Sequence, residues 1–470
     1  MELIGTLKPR VGSGLDRRQL LRRSSFQLAS AAAIVTLGAL VTVQPALALV
    51  AAGAGAVVGI LIGVARMPMA AVLVLTALTV AAVVDLPGRF TVGPTTSYAW
   101  ITAALASLLV LTSISRYVLS AVRGTGYVLV PLYAFAGWAL LSMVWVKPSV
   151  AGLQNTLVYA AFAALVPVTA AAVIHGDLTV ATARRAITYS ILFASGLAAG
   201  NLVFGGVGGE VLIGPRSYAL LGLVGVAWGA AHARFGERRL GLLAAVCWLL
   251  ILLSLSRLAF AASLAIATLA FADVRTAGRV VRSILVLASV AAIAYVSVTS
   301  FDPLASRFRP QGDLQSVGGV TINVEGRSNL WGITWRSYLD SPVVGKGAGS
   351  SEVAIEQALG RKSHPHNDYL RVAHDLGILG LAVLLIAFGG LLRHAFRSTR
   401  AAGNDHPTAP LHLASGLALL GLLAGMTTDN ALVYLFVVIP VGVLLGVSIG
   451  AAHATGKRAA LGPEARRWQA

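Results

Sequence analysis

Histidine, arginine and tryptophan side chains are concentrated between residues 326 and 381. Charged residues make up only 11% of the 470-residue chain, yet this stretch contains Arg327, His364, His366 and Asp368. A histidine titrates near working pH and can act as a general base, whereas an arginine stays charged and binds phosphate oxygens in a bidentate fork. The sequence therefore indicates this stretch as the place where chemistry would occur.

The two histidines lie in the run His364-Pro365-His366-Asn367-Asp368, immediately before a predicted helix. We predict that His366 is the general base, because a helix start can supply a neighbouring side chain that orients the imidazole. His364 and Asn367 are expected to contribute to substrate binding. The alternative is a structural role at the helix start. Two histidines and an aspartate could also bind a metal ion, but the intervening proline fixes an extended backbone and no further ligand cluster lies nearby, so we predict no metal.

Two further arginines stand at the ends of apolar runs, Arg216 in residues 214–217 and Arg257 in residues 254–257. Both fall on the predicted outer side of the membrane, where the positive-inside rule disfavours arginine. Each one alone is explained by snorkelling to lipid phosphate. Taken together with Arg327 on the same side, they predict a cradle for a diphosphate.

Two short helices are expected to position these residues. The first is predicted to begin near Ser328 and to stop at Ser341-Pro342, with an aromatic face that includes Trp331 and Trp335. That face suits either a helix lying on the bilayer or one buried in protein.

The second helix is predicted to be capped by Ser350 or Ser351 and to end at Gly360. The preceding glycine turn lacks the Gly-Lys-Ser/Thr order of a phosphate-binding loop, so a nucleotide site is not expected. Residues 301–325 are expected to be irregular.

The composition excludes an ordinary soluble protein. Hydrophobic residues make up 57% of the chain and the mean hydropathy is +0.80, which together indicate a polytopic membrane protein. The net charge of +18 does not indicate nucleic acid binding, because the arginines are scattered between apolar runs. The single cysteine, Cys247, excludes an intrachain disulfide framework.

Apolar runs long enough to span a bilayer predict an all-α fold with 12–14 transmembrane helices and one long extracytoplasmic loop that contains short helices. The candidate spans are 26–46, 48–65, 69–86, 98–116, 126–146, 152–174, 186–204, 215–233, 240–255, 258–273, 283–300, 372–393, 411–428 and 431–453. Arginine clusters occupy alternate connections, so both termini are expected to be cytoplasmic. The predicted organisation is a basic cytoplasmic segment at 1–25, a helix bundle at 26–300, an extracytoplasmic catalytic loop at 301–371, further spans at 372–453 and a cytoplasmic tail at 454–470. A twin-arginine signal at Arg22-Arg23 is the alternative for the first segment.

Several motifs in this order resemble the O-antigen ligase and polymerase family. They are residues 254–257, Gly326-Arg327, Leu330-Trp331, residues 342–347, residues 366–370 and residues 375–381. The resemblance covers residues 215–395 closely. It implies a metal-independent C-type glycosyltransferase at the outer face of the cytoplasmic membrane, which uses a polyprenyl-diphosphate-linked glycan as donor.

By this resemblance, Arg216 and Arg257 match the arginines that hold the diphosphate, and His366 matches the histidine that activates the acceptor hydroxyl. The sequence after Arg216 departs from the family pattern. The expected partners are the lipid-linked donor, a glycan or glycolipid acceptor and the lipid bilayer, with no cofactor and no nucleic acid. Direct displacement would invert the anomeric carbon. A transporter or flippase of lipid-linked sugars is the alternative function, and ligase and polymerase remain equally open.

Overall fold

Long apolar segments of this chain form helices, because a helix satisfies its own backbone groups where no water is available. In the computed structural model, the described residues are 69–83, 91–92, 95–147, 149–272, scattered positions from 281 to 300, 301–308, 314–317, 320–323, 327–404 and 406–460. The predicted spans 26–46 and 48–65 and the basic segment 1–25 lie outside them.

The helices and strands run in the following order. The first part contains α1 (Met69–Ala82), β1 (Thr91–Val92), β2 (Thr95–Thr96), α2 (Ser97–Ser113), α3 (Arg116–Ala121), α4 (Gly126–Ser142), α5 (Val150–Ile174), α6 (Val180–Gly205), α7 (Pro215–Arg234), α8 (Arg238–Leu253) and α9 (Arg257–Phe271). The second part contains α10 (Asp302–Phe308), β3 (Leu314–Val317), β4 (Val320–Asn323), α11 (Arg327–Tyr338), α12 (Ser350–Leu359), α13 (Asp368–Ala402), α14 (Ala409–Gly425) and α15 (Leu435–Ala460).

Five stretches of the described chain are long and apolar enough to cross a membrane. They are Arg123–Ser142, Val150–Ile174, Val180–Gly205, Asp368–Ala402 and Leu435–Ala454, with shorter apolar helices at Ala70–Ala82, Tyr98–Ser113, Arg257–Phe271 and Ala409–Gly425. The predicted fold class, an all-α polytopic membrane protein, is confirmed. The total of 12–14 spans stays a prediction.

Glycines allow the central helices to approach closely. Gly442, Gly446 and Gly450 recur at four-residue spacing on α15 and face α5. A Cβ at Gly446 would lie 2.5 Å from the carbonyl oxygen of Val166. Such small-residue stripes are typical of helix packing in membranes.

The long polar loop is more ordered than its sequence indicates. The expectation that residues 301–325 are irregular was wrong, because they contain the short helix α10 and an antiparallel hairpin in which Leu314 pairs with Asn323 and Val317 with Val320. The two helices predicted downstream are present as α11 and α12.

Candidate active site

Helix α13 is broken at Gly377, where the backbone angles are φ 70° and ψ 179°. The break frees backbone groups, and residues 342–347 bond to them. Ile378 N donates to the Pro342 carbonyl (2.8 Å) and Leu379 N to that of Val343 (3.3 Å). The carbonyls of His374 and Asp375 accept from Lys346 N (3.0 Å) and Gly347 N (2.8 Å). A non-helical backbone next to an apolar span is thereby satisfied within the protein.

We call this contact between residues 342–347 and the break in α13 the joint. Glycines are required on both sides of it. A Cβ at Gly377 would lie 2.0 Å from the Val343 carbonyl oxygen, and one at Gly345 would lie 2.4 Å from the Asp375 carbonyl oxygen. Both residues also have positive φ, which side chains disfavour. The glycine turn at residues 345–349 and the segment at residues 375–377 are therefore packed directly against each other, and each requires glycine at the contact.

Helix α12 is capped by a carboxylate from α13. Asp375 accepts hydrogen bonds from Gly349 N at Oδ2 (2.9 Å) and from Ser351 N at Oδ1 (2.8 Å). The predicted cap by Ser350 or Ser351 was wrong, because Gly349 occupies the N-cap position and makes no side-chain bond there. The negative charge at a helix N-terminus is favourable, and it fixes α12 to the joint.

A buried histidine extends this network. His374 is fully buried. Its Nδ1 lies 3.0 Å from Asp375 Oδ1 and its Nε2 lies 2.9 Å from Ser337 Oγ. Lys346 donates to the same serine oxygen (3.1 Å) and to Asp340 (2.6 Å). These bonds fix the end of α11 against α13.

The start of α13 is bound to the connection between α14 and α15. Asp368 N donates to the Met426 carbonyl (2.8 Å), and the Asp368 carboxylate accepts from Leu432 N (2.7 Å). Arg371, which is fully buried, forms an ion pair with Asp368. Asn367 caps this helix, since its Oδ1 accepts from Leu370 N (3.0 Å), and its expected role in substrate binding stays a prediction.

These contacts bring Asp429 to His366. The Nδ1 of His366 lies 3.9 Å from Asp429 Oδ1, within ion-pair distance but longer than a hydrogen bond. Burial favours a raised pKa for the Asp429 carboxyl, but its interactions with His366, the Asn430 N–H and Arg327 outweigh burial and lower the pKa below its ordinary value. His366 and Arg327 thus both act electrostatically on one aspartate.

The backbone at His366 is strained. Among the described residues, two that are not glycine have positive φ, namely His366 (51°) and Leu255 (59°). Strained backbone persists only where the surroundings enforce it and is common at functional sites. His366 is itself the predicted general base within the predicted catalytic loop, and Leu255 lies two residues before Arg257, so each strained position is at or beside a predicted site residue.

The second histidine has a different partner. His364 Nδ1 lies 2.9 Å from Glu352 Oε1 on α12, and its ring centroid is 6.2 Å from that of His366. Trp331 of α11 donates to the Pro365 carbonyl (2.8 Å) and holds the loop between the two histidines. Within the described residues, no group of three His, Cys, Asp or Glu side chains is placed to hold a metal ion.

Arg216 is the second residue of α7, and Arg257 is the first residue of α9. Helices α7 and α8 are antiparallel, because Gly222 faces Ile251 and Gly229 faces Ala244. The 254–257 turn that follows α8 therefore lies at the same end of the bundle as the start of α7.

The same end of the bundle also contains the connection between α14 and α15, in which Asp429 lies. Leu220, one turn after Arg216, contacts Gly425 at the end of α14: a Cβ there would lie 3.0 Å from Leu220 Cδ2. The next residue, Met426, binds the start of α13. Both arginines thus share one end of the bundle with the His366 and Asp429 pair.

Sequence reasoning missed Asp429, Asp375 and Arg371. Asp429 directly follows the candidate span 411–428, a position where a charged residue is ordinary. A usable signal was present in α13, where Asp368, Arg371 and Asp375 recur at three- and four-residue spacing and so share one face of a helix. Ionisable residues on one face of a membrane helix indicate a functional or buried polar site.

A comparison with protein families matches part of this chain. Residues 242–385 match the family model described as O-antigen ligase. The matched range runs from α8 into α13 and includes Arg257, Arg327 and both histidines, whereas Arg216 and Asp429 lie outside it. No curated protein matches the chain. The match confirms the predicted O-antigen ligase and polymerase family assignment, carried by this part of the chain.

Proposed function

We propose that this protein, a multi-pass membrane glycosyltransferase of the O-antigen ligase and polymerase family, moves a glycan from a polyprenyl-diphosphate donor to an acceptor hydroxyl. The acceptor is a glycan or glycolipid, and the reaction occurs at the extracytoplasmic face of the cytoplasmic membrane. The observation that carries the proposal is the His366 imidazole, whose Nδ1 lies 3.9 Å from Asp429 Oδ1. His366 and Arg327 both lie within the family-matched region.

His366 acts as the general base. Its Nδ1 is directed at Asp429, so Nε2 is left for the acceptor hydroxyl. As the acceptor oxygen attacks the anomeric carbon, its proton passes to Nε2, and Asp429 stabilises the imidazolium that forms. Catalytic hydrogen bonds in a substrate-free site are commonly long and tighten when substrate binds, which is consistent with the 3.9 Å separation.

The arginines stabilise the leaving group. When the anomeric carbon–oxygen bond breaks, the electron pair leaves with the diphosphate, whose negative charge requires cations. Arg216, Arg257 and Arg327 supply that charge without a metal ion, since guanidinium is permanently charged and binds two phosphate oxygens at once. A single displacement inverts the configuration at the anomeric carbon.

The charge distribution along α13 supports an enzyme over a transporter. A transport pathway favours ionisable side chains near the middle of spans. In α13, Asp368, Arg371 and Asp375 all precede the break at Gly377, and residues 378–392 contain no ionisable side chain.

The test is a transfer assay with purified protein in liposomes, supplied with a polyprenyl-diphosphate-linked glycan and a glycolipid acceptor. Arg257→Ala is expected to weaken donor binding and to lower turnover, because its charge meets the diphosphate before and during the reaction. Arg239→Ala is the matched control, since Arg239 is exposed at the opposite end of α8. Equal donor binding and turnover in the two variants, or donor translocation without transfer by the wild type, would overturn the proposal.

A further inference from the structure

A contiguous apolar surface lies beside the α13 joint, and most of it belongs to the segment that the sequence places in a polar loop. It consists of Trp335, Leu339, Val343, Val344, Ile378 and Leu379, which we call the joint patch. The side chains of Trp335, Leu339 and Val343 are 51%, 56% and 54% exposed, far more than ordinary core residues.

The hydrogen bonds of the joint make the patch continuous. Leu339 follows Trp335 by one helical turn, and its N–H donates to the Trp335 carbonyl (3.2 Å). Leu379 N donates to Val343 O at 3.3 Å, so the exposed side chains of the 339–344 segment adjoin those at the start of the second part of α13. An exposed apolar patch of this kind marks a surface that contacts a partner or a membrane.

The position of the patch favours the lipid bilayer as the surface that it contacts. Ile378 and Leu379 are the first residues of the uncharged run 378–392, within a helix that is long and apolar enough to cross a membrane. Residues hydrogen-bonded to them share their depth at the boundary of the span. Trp335 packs beside Tyr338, with ring centroids 5.2 Å apart and the ring planes tilted by 41°, and both residue types favour the headgroup region.

A polar rim borders the patch. The Asp340 side chain is 70% exposed and pairs with Lys346 at 2.6 Å, so the residue next to Leu339 in the chain faces water. The opposite side of α11 is buried in protein, as shown by Leu330 and Thr334. The two alternatives for this helix, lipid contact and burial in protein, thus apply to its opposite faces.

We infer that the last turn of α11 and residues 339–344 are inserted into the boundary of the lipid bilayer, with the joint patch against acyl chains and the Asp340–Lys346 pair at the water level. This placement sets α11, and with it the loop that carries His366, at the depth of lipid headgroups. It does not depend on the proposed chemistry.

Site-directed spin labelling tests this placement. The only cysteine, Cys247, is buried in the bundle, and Cys247→Ala provides the background for single labels at Leu339→Cys, Val343→Cys and Asp340→Cys in liposomes. Labels at 339 and 343 should collide with oxygen several-fold more often than with an aqueous nickel chelate, and the label at 340 should show the reverse. Val344→Cys replaces any variant that fails to fold.

Two results would overturn the inference. Nickel accessibility at 339 and 343 equal to that at 340 would place the patch in water. Low accessibility to both reagents would mean that a second copy or another protein covers it. Because the readout is position in the membrane, an inactive transferase would leave this result unchanged.

Discussion

Replacement of Gly377 by alanine should disrupt the joint between α13 and residues 342–347. The new Cβ would lie 2.0 Å from the Val343 carbonyl oxygen and 2.4 Å from its carbon, distances that require the backbone to move. The backbone angles of Gly377, φ 70° and ψ 179°, lie in a region that is almost restricted to glycine and costs another residue about 1–3 kcal/mol.

The expected loss can be built from the contacts. Displacement of the 342–347 segment breaks the four backbone hydrogen bonds to Ile378, Leu379, His374 and Asp375, each worth about 1 kcal/mol in net stability. Together with the backbone strain, we expect a destabilisation on the order of 5–7 kcal/mol. Because the same segment leads to α12 and the histidine loop, transfer activity should fall as well.

Two control variants separate the causes. Gly360→Ala also places alanine at positive φ (66°) but meets no atom within 4 Å, and Gly389→Ala in α13 itself meets none and has no positive φ. Thermal unfolding in detergent, followed by tryptophan fluorescence, should give the lowest unfolding temperature for Gly377→Ala and one near wild type for Gly389→Ala. Gly360→Ala should lie between them, with a loss of about 1 kcal/mol in unfolding free energy relative to wild type. Equal unfolding temperatures for Gly377→Ala and Gly360→Ala would refute the steric argument.

Three further predictions concern charge, metal and topology. Because the folded state lowers the pKa of Asp429, the ionised carboxylate stabilises the fold above the unfolded-state pKa of about 4, and this stabilisation is lost as the pH falls through the folded-state pKa. Asp429→Asn should therefore unfold at a lower temperature than wild type at neutral pH, and the difference in unfolding temperature should vanish in strong acid. A difference that stays constant with pH would contradict this. Turnover of the purified protein should persist in excess chelator, and full loss that Mg²⁺ or Mn²⁺ restores would contradict the arginine cradle. A cysteine at Ser316, in β3 of the long loop, should react with an impermeant thiol reagent added to outer-membrane-permeabilised cells; labelling only after lysis would reverse the predicted sidedness.

The local elements near the site were predictable because their signals are local. Ser341-Pro342 stops α11 close to its observed end at Tyr338, and Gly360 follows α12, as expected for a left-handed helix terminus. The start of α13 near Asp368 follows from the polar run before an apolar one. In each case the residue types that end or begin the element lie within a few positions of it.

The joint was not predictable for the opposite reason. The sequence shows that residues 345 and 377 are glycines, but no nearby residue indicates that the backbones of Gly345 and Gly377 lie against each other. The cap of α12 by Asp375 likewise comes from a different helix, whereas Ser350 and Ser351 are good caps by residue type alone. Tertiary contacts replaced the local preference.

The candidate site shows the same division. The residue types of His366 and Arg327 suggested their chemistry from the sequence. Asp429 is distant in sequence and ends an apolar run, where a charged residue is ordinary. The bonds from Asp368 to Met426 and Leu432 place Asp429 beside the histidine. The positive φ of His366 could not be predicted from the sequence, because residues other than glycine usually avoid positive φ.

The most direct test of the account compares His366→Ala with His364→Ala in the transfer assay, with donor binding measured in parallel. Loss of a positioned general base typically lowers the rate on the order of 10²–10⁴-fold. We predict that His366→Ala inserts and binds the lipid-linked donor as wild type does but loses transfer to this extent, and that His364→Ala retains much more activity. Near-wild-type turnover in His366→Ala would contradict the central claim, whether His364→Ala is active or not.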